Sequence, residues 1–341
     1  MAVTDVMAAA QNKTRQNRQP MEKKDPILVL APLQGFTDVT FRNVYAKHFS
    51  GLDEALAPFI STMGQQRLKP SRLRDVDPHL NQLLPVTPQI LGNVAEDFIF
   101  LAAHLADMGH NLVNWNLGCP HSKIAKKGRG SGLLLFPEKI DALLDRIIPD
   151  IPMALSVKIR LGRKNKGEIH DLIPVFDRHD LDHIILHPRT GIQMYQGTAD
   201  HDAFKAAMDH SRHTFVYNGD ITDTDSFVTV KNRFPAINRF MIGRGILANP
   251  FLPEEIKSVP GDPDARLARL QDFHDDLLSA YSGIISGPGH LTGRMKGFWN
   301  YLGPSFKNHK KPLKKILKST SISRYTDNVA QFFAAKPEFC P

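Results

Sequence analysis

The sequence predicts an α/β fold: a parallel (β/α)8 TIM barrel followed by a C-terminal all-α helical domain. Three observations predict it. Short apolar runs recur after Pro26, and each is continuous rather than alternating, as expected of strands covered on both faces. Amphipathic stretches such as Ala95–Met108 and Pro137–Ile148 separate the runs. Polar residues and glycines collect just past the runs, where a parallel barrel keeps its working rim. An open doubly wound sheet shares the first two features and stands as the competing architecture at this point.

The eight runs are Ile27–Ala31, Glu54–Phe59, Thr87–Leu91, Leu112–Asn116, Ala154–Ile159, His183–Leu186, Thr214–Tyr217 and Arg239–Ile242. Past residue 258 no further run of this kind occurs. Arg266–Ser282, Arg294–Leu302, Pro312–Lys318 and Asn328–Ala335 have helical spacing instead, and Pro260-Gly261 with Pro263 marks the junction. Residues 1–25 are polar and basic with no apolar period, which predicts a disordered tail. The expected organisation is therefore a tail at 1–25, a barrel at 26–258 and a helical domain at 259–341. A barrel of this kind takes about 250 residues, and the 341 available leave room for the appended helices.

Composition narrows the partners. Charged residues make up 23% of the chain and apolar ones 42%, values ordinary for a globular protein. No apolar run approaches the ~20 residues of a membrane span, and the N-terminus lacks a secretory pattern. Only two cysteines are present, Cys119 and Cys340, so a disulfide framework is not expected and the cytoplasm is. A net charge of +8 favours a polyanionic partner. The distribution sharpens this: Leu291–Arg324 carries nine Lys or Arg and no Asp or Glu. A solvated helix face normally mixes both signs, whereas a phosphate-binding surface does not.

The rim positions carry the candidate chemistry. Asn218-Gly219-Asp220 and Gly243-Arg244-Gly245 follow runs seven and eight, the usual phosphate position in this fold. Glycines let backbone amides approach phosphate oxygens and Arg244 adds a charged donor, although tight turns alone would also use glycine. Lys158 lies inside an apolar run, where an unpaired charge is costly. It either points into the barrel mouth or extends its ammonium to the surface. Cys119 sits in a Gly-Cys-Pro turn at rim four; a free cysteine is often only a small buried hydrophobe. With no CxxC or ordered His/Cys spacing, no metal is expected. Gly128-Arg129-Gly130-Ser131-Gly132 looks like a dinucleotide fingerprint, but no run leads into it, so it carries no weight as one.

Taken together, APLQGFTD (31–38), PQILG (88–92), NLGCP (116–120), SVKIRLG (156–162), HPRT (187–190), YQGTAD (195–200), NGDI (218–221) and IGRG (242–245) resemble the dihydrouridine synthases, flavoenzymes that reduce uridine in tRNA. The resemblance implies a flavin-binding barrel followed by a helical RNA-binding domain. It implies FMN contacts from Pro32, Leu33 and Gln34, with Gln89, Lys158 and His187 near the ring system. Asn218, Gly219, Asp220, Gly243 and Arg244 would hold the phosphate end. Cys119 matches the catalytic cysteine, Asn116 a uracil-positioning residue, and Arg189 an arginine at the flavin and RNA face. From the charge distribution rather than the resemblance, Lys126, Lys127 and Arg129, with Lys307, Lys310, Lys311 and Lys314, are the expected RNA contacts. Four features depart from the commoner pattern: Leu33-Gln34 where APMAG is usual, Pro188 in place of the glycine of HGRT, His201 where tryptophan is frequent, and a Lys126–Leu134 segment more basic than usual. None of them removes a catalytic group.

The implied reaction is a conjugate reduction. NADPH or NADH reduces FMN, hydride passes to C6 of the uracil, and Cys119 protonates C5. An ordinary thiol is mostly protonated at neutral pH and can donate without a large shift. A uracil inside folded RNA would have to be extruded to reach the barrel mouth. A monomer binding tRNA is the expected form. The rival readings are an FMN barrel reductase of a small pyrimidine or enone, a non-catalytic RNA-binding flavoprotein, and an aldolase-type barrel with Lys158 as Schiff-base former.

Overall fold

The computed structural model describes residues 25–341; the expected tail at 1–25 falls outside them except for its last residue. Ten short strands run parallel: β1 (Ile27–Leu30), β2 (Glu54–Leu56), β3 (Ile60–Ser61), β4 (Val86–Thr87), β5 (Gln89–Leu91), β6 (Leu112–Asn116), β7 (Ala154–Arg160), β8 (Ile184–His187), β9 (Phe215–Asn218) and β10 (Arg239–Ile242). They make eight staves, because β2 with β3 and β4 with β5 are each one stave in two pieces. The ring closes where β1 pairs with β10 on one side and β2 on the other. The doubly wound alternative is thereby excluded.

The two breaks face each other. Pro58 and Pro88 lack the N–H a ladder needs, and pairing resumes past them as Ile60↔Ile90 and Ser61↔Leu91. Three residues (57–59) there oppose two (88–89), which is the geometry of a bulge. The continuous run expected at Glu54–Phe59 is therefore interrupted, for a reason visible in its own proline.

Val29, Ala31, Leu56, Ile185, Val216 and Met241 form one apolar cluster within the ring of strands. A larger cluster fills the layer between strands and helices. Helix α1 (Val39–His48) starts at Asp38, whose side chain accepts from the Phe41 amide, a standard N-cap. Between the later staves lie α2 (Ala95–Asp107), α3 (Pro137–Ile147), α4 (Ile169–Phe176), α5 (His201–Asp209) and α6 (Thr224–Arg233).

The C-terminal helices are α7 (Arg266–Ser282), α8 (Pro288–Leu302), α9 (Lys310–Leu317) and α10 (Ile322–Ala334). Three begin earlier than their apolar spacing suggested, α9 at Lys310 and the other two by more. Pro288 occupies the first turn of α8, where its missing N–H costs nothing, and Ser321 caps α10 through the Arg324 amide. These helices dock firmly on the barrel. Phe273 of α7 meets Phe41, Tyr45 and Phe49 edge to face. Arg269 pairs with the buried Glu254, and Ser305, just past α8, donates its hydroxyl to the Ala248 carbonyl at 2.9 Å. Among the described residues no helix is long and apolar enough to cross a membrane.

Candidate active site

A cavity of about 1000 Å³, counted out to its open mouth, sits at the C-terminal ends of the staves. Pro32, Leu33 and Gln34 form one wall, Asn116 and Cys119 another, and Asn218, Gly219, Asp220, Gly243 and Arg244 a third; Lys158, His187, Arg160 and Tyr195 complete it. Most of the residues expected from sequence therefore meet in one place. Gln89 and Arg189 do not line it.

Gln89 is fully buried behind Asn116 and works through it. An amide chain crosses three staves. Asn114 Nδ2 donates to Ser156 Oγ at 2.9 Å, and Gln89 Nε2 donates to Asn114 Oδ1 at 2.7 Å. Asn116 Nδ2 then donates to Gln89 Oε1 at 2.7 Å. Asn116 Oδ1 accepts from the backbone amides of Gly118 at 3.1 Å and Cys119 at 2.9 Å. Asn116 thus holds the cysteine turn, and one Nδ2 proton remains for a ligand. Buried amides satisfied at both ends rigidify what they hold.

The turn is secured from behind as well. The Cys119 carbonyl accepts from the Ser131 amide at 3.0 Å and its hydroxyl at 2.9 Å. Gly130, with φ +54°, lies so close that a Cβ would come within 2.8 Å of that carbonyl oxygen. The glycine string at 128–132, discounted as a nucleotide fingerprint, is the surface on which the cysteine turn rests. Arg160 Nε donates to the Gly118 carbonyl at 3.0 Å, and its Nη1 reaches the Thr190 and Met194 carbonyls at 2.9 and 2.7 Å. It therefore ties the cysteine loop to the loop after β8.

Arg189 is buried under that second loop. Its guanidinium makes a bidentate pair with Asp220, at 2.8 and 2.5 Å, and donates to the Gly197 carbonyl at 2.6 Å. Arg160 and Arg244 are the arginines that reach the mouth, flanking the Tyr195 ring at 5.5 and 4.5 Å. No spacing rule separates these three arginines; Asp220 and the Gly197 carbonyl hold Arg189 inward, while backbone carbonyls hold Arg160 at the mouth.

The electrostatics follow from burial. Lys158 Nζ donates to Asn218 Oδ1 at 2.7 Å and has no carboxylate partner among the described residues. Burial first, then the nearby Arg160, pulls its pKa down to about 7. Burial pushes the Cys119 thiol up, which keeps it protonated. Burial and the surrounding cations, Arg160 foremost, drive His187 well below its ordinary value, so its imidazole is neutral. Its Nε2 faces Arg189 Nη1 at 3.1 Å; accepting there leaves the proton on Nδ1. Burial would raise Asp220, but the Arg189 hydrogen bonds, the Ala199 amide and Arg244 hold it below the usual carboxylate value.

The cavity suits a planar ring bearing a phosphate. Beside Arg244, the backbone amides of Gly219, Gly243 and Arg244 have no acceptor among the described residues, and such free donors beside glycines fit phosphate oxygens. Lys158 supplies positive charge deeper in. Among the described residues no group of three or more His, Cys, Asp or Glu is placed to hold a metal.

Of the expected RNA contacts, Lys126 and Lys127 are exposed on the loop beyond Cys119, and Lys310, Lys311 and Lys314 are exposed on α9. Lys307 is exposed but paired with Glu338. The acid-free stretch is not uniformly outward. Arg294 pairs with Asp38 at 3.0 Å, and Lys296 donates to the Ser319 carbonyl at 2.9 Å.

Fold and site together define a β/α-barrel protein with a cationic, thiol-bearing cavity at its rim. The chain belongs to the dihydrouridine synthase family, whose model matches residues 29–331. It is 28% identical to a probable tRNA-dihydrouridine synthase of Rhodobacter capsulatus, over 79% of this chain and 83% of that one. It is 31% identical to a probable tRNA-dihydrouridine synthase of Staphylococcus epidermidis, over 75% and 79%. Among solved structures, a 2-naphthoyl-CoA reductase shares the barrel at a TM-score of 0.50 and 11% identity, over 68% of this chain and 50% of that one. That likeness concerns the fold alone.

Proposed function

We propose that this protein is an FMN-dependent tRNA-dihydrouridine synthase of the cytoplasm, using NADPH or NADH as reductant. One observation carries the reading: Cys119 and Lys158 share a cavity whose far wall offers free backbone amides and Arg244. When bound, FMN, recharged by the nicotinamide, supplies the hydride for C6 of the uracil. The chain does the rest. Pro32, Leu33, Gln34, Lys158 and His187 bind the ring system, and Asn218, Gly219, Asp220, Gly243 and Arg244 the phosphate end. Gln89 contributes by orienting Asn116, and Arg189 by fixing Asp220.

Asn116 offers its remaining Nδ2 proton to the uracil edge. Lys158, whose buried ammonium is poised to meet an anion, stabilises negative charge on the reduced ring. Cys119 delivers its thiol proton to C5, and its raised pKa keeps the proton in place until it is needed. Lys126 and Lys127, exposed on the loop beyond Cys119, and Lys310, Lys311 and Lys314, exposed on α9, hold the RNA.

The test is direct. Purified protein, an unmodified tRNA transcript and NADPH are expected to give dihydrouridine by mass spectrometry and RNA-dependent NADPH oxidation. Equal turnover on free uridine would replace this reading with that of a small-molecule reductase.

A further inference from the structure

The turn that carries Pro32, Leu33 and Gln34 is held at its base by the barrel and at its tip by the C-terminal helices. At the base, Thr37 Oγ1 accepts from the Leu33 amide at 2.8 Å and donates to the Ala31 carbonyl at 2.9 Å. The tip is Gly35, with φ +83°. There Arg294 of α8 donates Nη1 to the Gly35 carbonyl at 2.6 Å and to Asp38 Oδ2 at 3.0 Å. Tyr281 of α7 donates its hydroxyl to Asp38 Oδ1 at 2.8 Å, and its ring lies 5.1 Å from the Arg294 guanidinium. Phe36, the next residue of the turn, meets Phe298 and Tyr301 edge to face, each at 5.3 Å. It fits because position 297 is glycine; a Cβ there would lie 3.2 Å from the Phe36 ring.

Docking alone does not require this clasp. The Phe273 cluster, the Arg269–Glu254 pair and the Ser305–Ala248 bond already join the helices to the barrel elsewhere. RNA binding does not require it either, since Arg294 faces a carbonyl and a carboxylate. We infer that Arg294 is a positioning residue for the flavin: by fixing Gly35 and Asp38, the C-terminal helices set the turn against which the cofactor rests. The helical segment is thus part of the cofactor site as well as an RNA surface. This rests on the flavin reading of the cavity.

The experiment uses the full chain stripped of flavin and titrated with FMN, following flavin fluorescence, the visible spectrum of the bound flavin, and the thermal midpoint of the apoprotein. Arg294→Met removes both hydrogen bonds at similar length. It is expected to weaken FMN binding about tenfold, the scale of a lost charge-assisted bond, and to shift the bound-flavin spectrum. Arg294→Lys is expected to recover part of both. Gly297→Ala, which displaces Phe36 without touching a charge, is expected to lower affinity in the same direction by a smaller factor.

Arg294→Met binding FMN within about twofold of wild type, with an unchanged spectrum, overturns the inference while leaving the flavin reading intact. So does an affinity loss that lysine does not recover and that follows a lowered apoprotein midpoint, which marks a merely structural role. A wild-type chain that takes up no FMN brings down both readings together.

Discussion

Lys158 buries an ammonium against one amide oxygen, and that choice has a pH signature. The folded chain holds this proton only below about 7, the unfolded chain up to the ordinary 10.5. Between those values the unfolded chain binds more protons, so stability rises with pH. The penalty is full below about 7 and fades toward 10.5. Lys158→Met is therefore expected to stabilise the apoprotein, strongly at pH 6.5 and little at pH 10, as read from urea midpoints; a gain independent of pH would contradict the buried-charge account. Cys119 sits on the opposite side of its titration. Its raised pKa predicts that proton delivery persists beyond the ordinary thiol range before alkali stops it. Cys119→Ala should keep the flavin spectrum and lose about 10²–10⁴-fold in uridine reduction, the usual worth of a positioned acid. Single-turnover oxidation of the reduced enzyme by tRNA measures it.

At the scale of elements, the structure separates cations that composition counts together. Lys310, Lys311 and Lys314 are exposed on α9, whereas Arg294, Lys296 and Lys307 are engaged within the chain. Replacing the first three by glutamate should weaken RNA binding and flatten the salt dependence, by about one unit of log–log slope for each phosphate no longer neutralised. The same change at Lys307 should do less, because Glu338 already occupies it. Filter binding at several salt concentrations distinguishes the two. The staves themselves were legible, since continuous apolar runs ending in Gly and Asn define both strand and rim. The facing of side chains was not. A strand buried on both sides has no polar phase, so nothing in PQILG says that Gln89 lies behind Asn116 rather than in the cavity. Arg189, Arg160 and Arg244 were equally indistinguishable until the partners that claim them were in place. The split of two staves was readable in principle, from Pro58 and Pro88.

For the molecule as a whole, the cofactor is expected to act as a stabiliser. A ligand that binds only the folded chain adds about 2.7 kcal/mol at a hundred times its Kd, which for a chain of this size is a rise of a few degrees in melting midpoint. Scanning calorimetry with and without FMN checks this, and riboflavin, lacking the phosphate, should give a smaller rise. The clasp on Gly35 has a different consequence, one of timing. Its two partners are separated by 259 residues of chain. At about 5–20 residues per second of synthesis, the first turn leaves the ribosome roughly 13–50 s before Arg294 exists to hold it. The nascent protein thus makes the part nearest the flavin early and fastens it late, so a translating chain should reach its full affinity for cofactor only after α8 has been made.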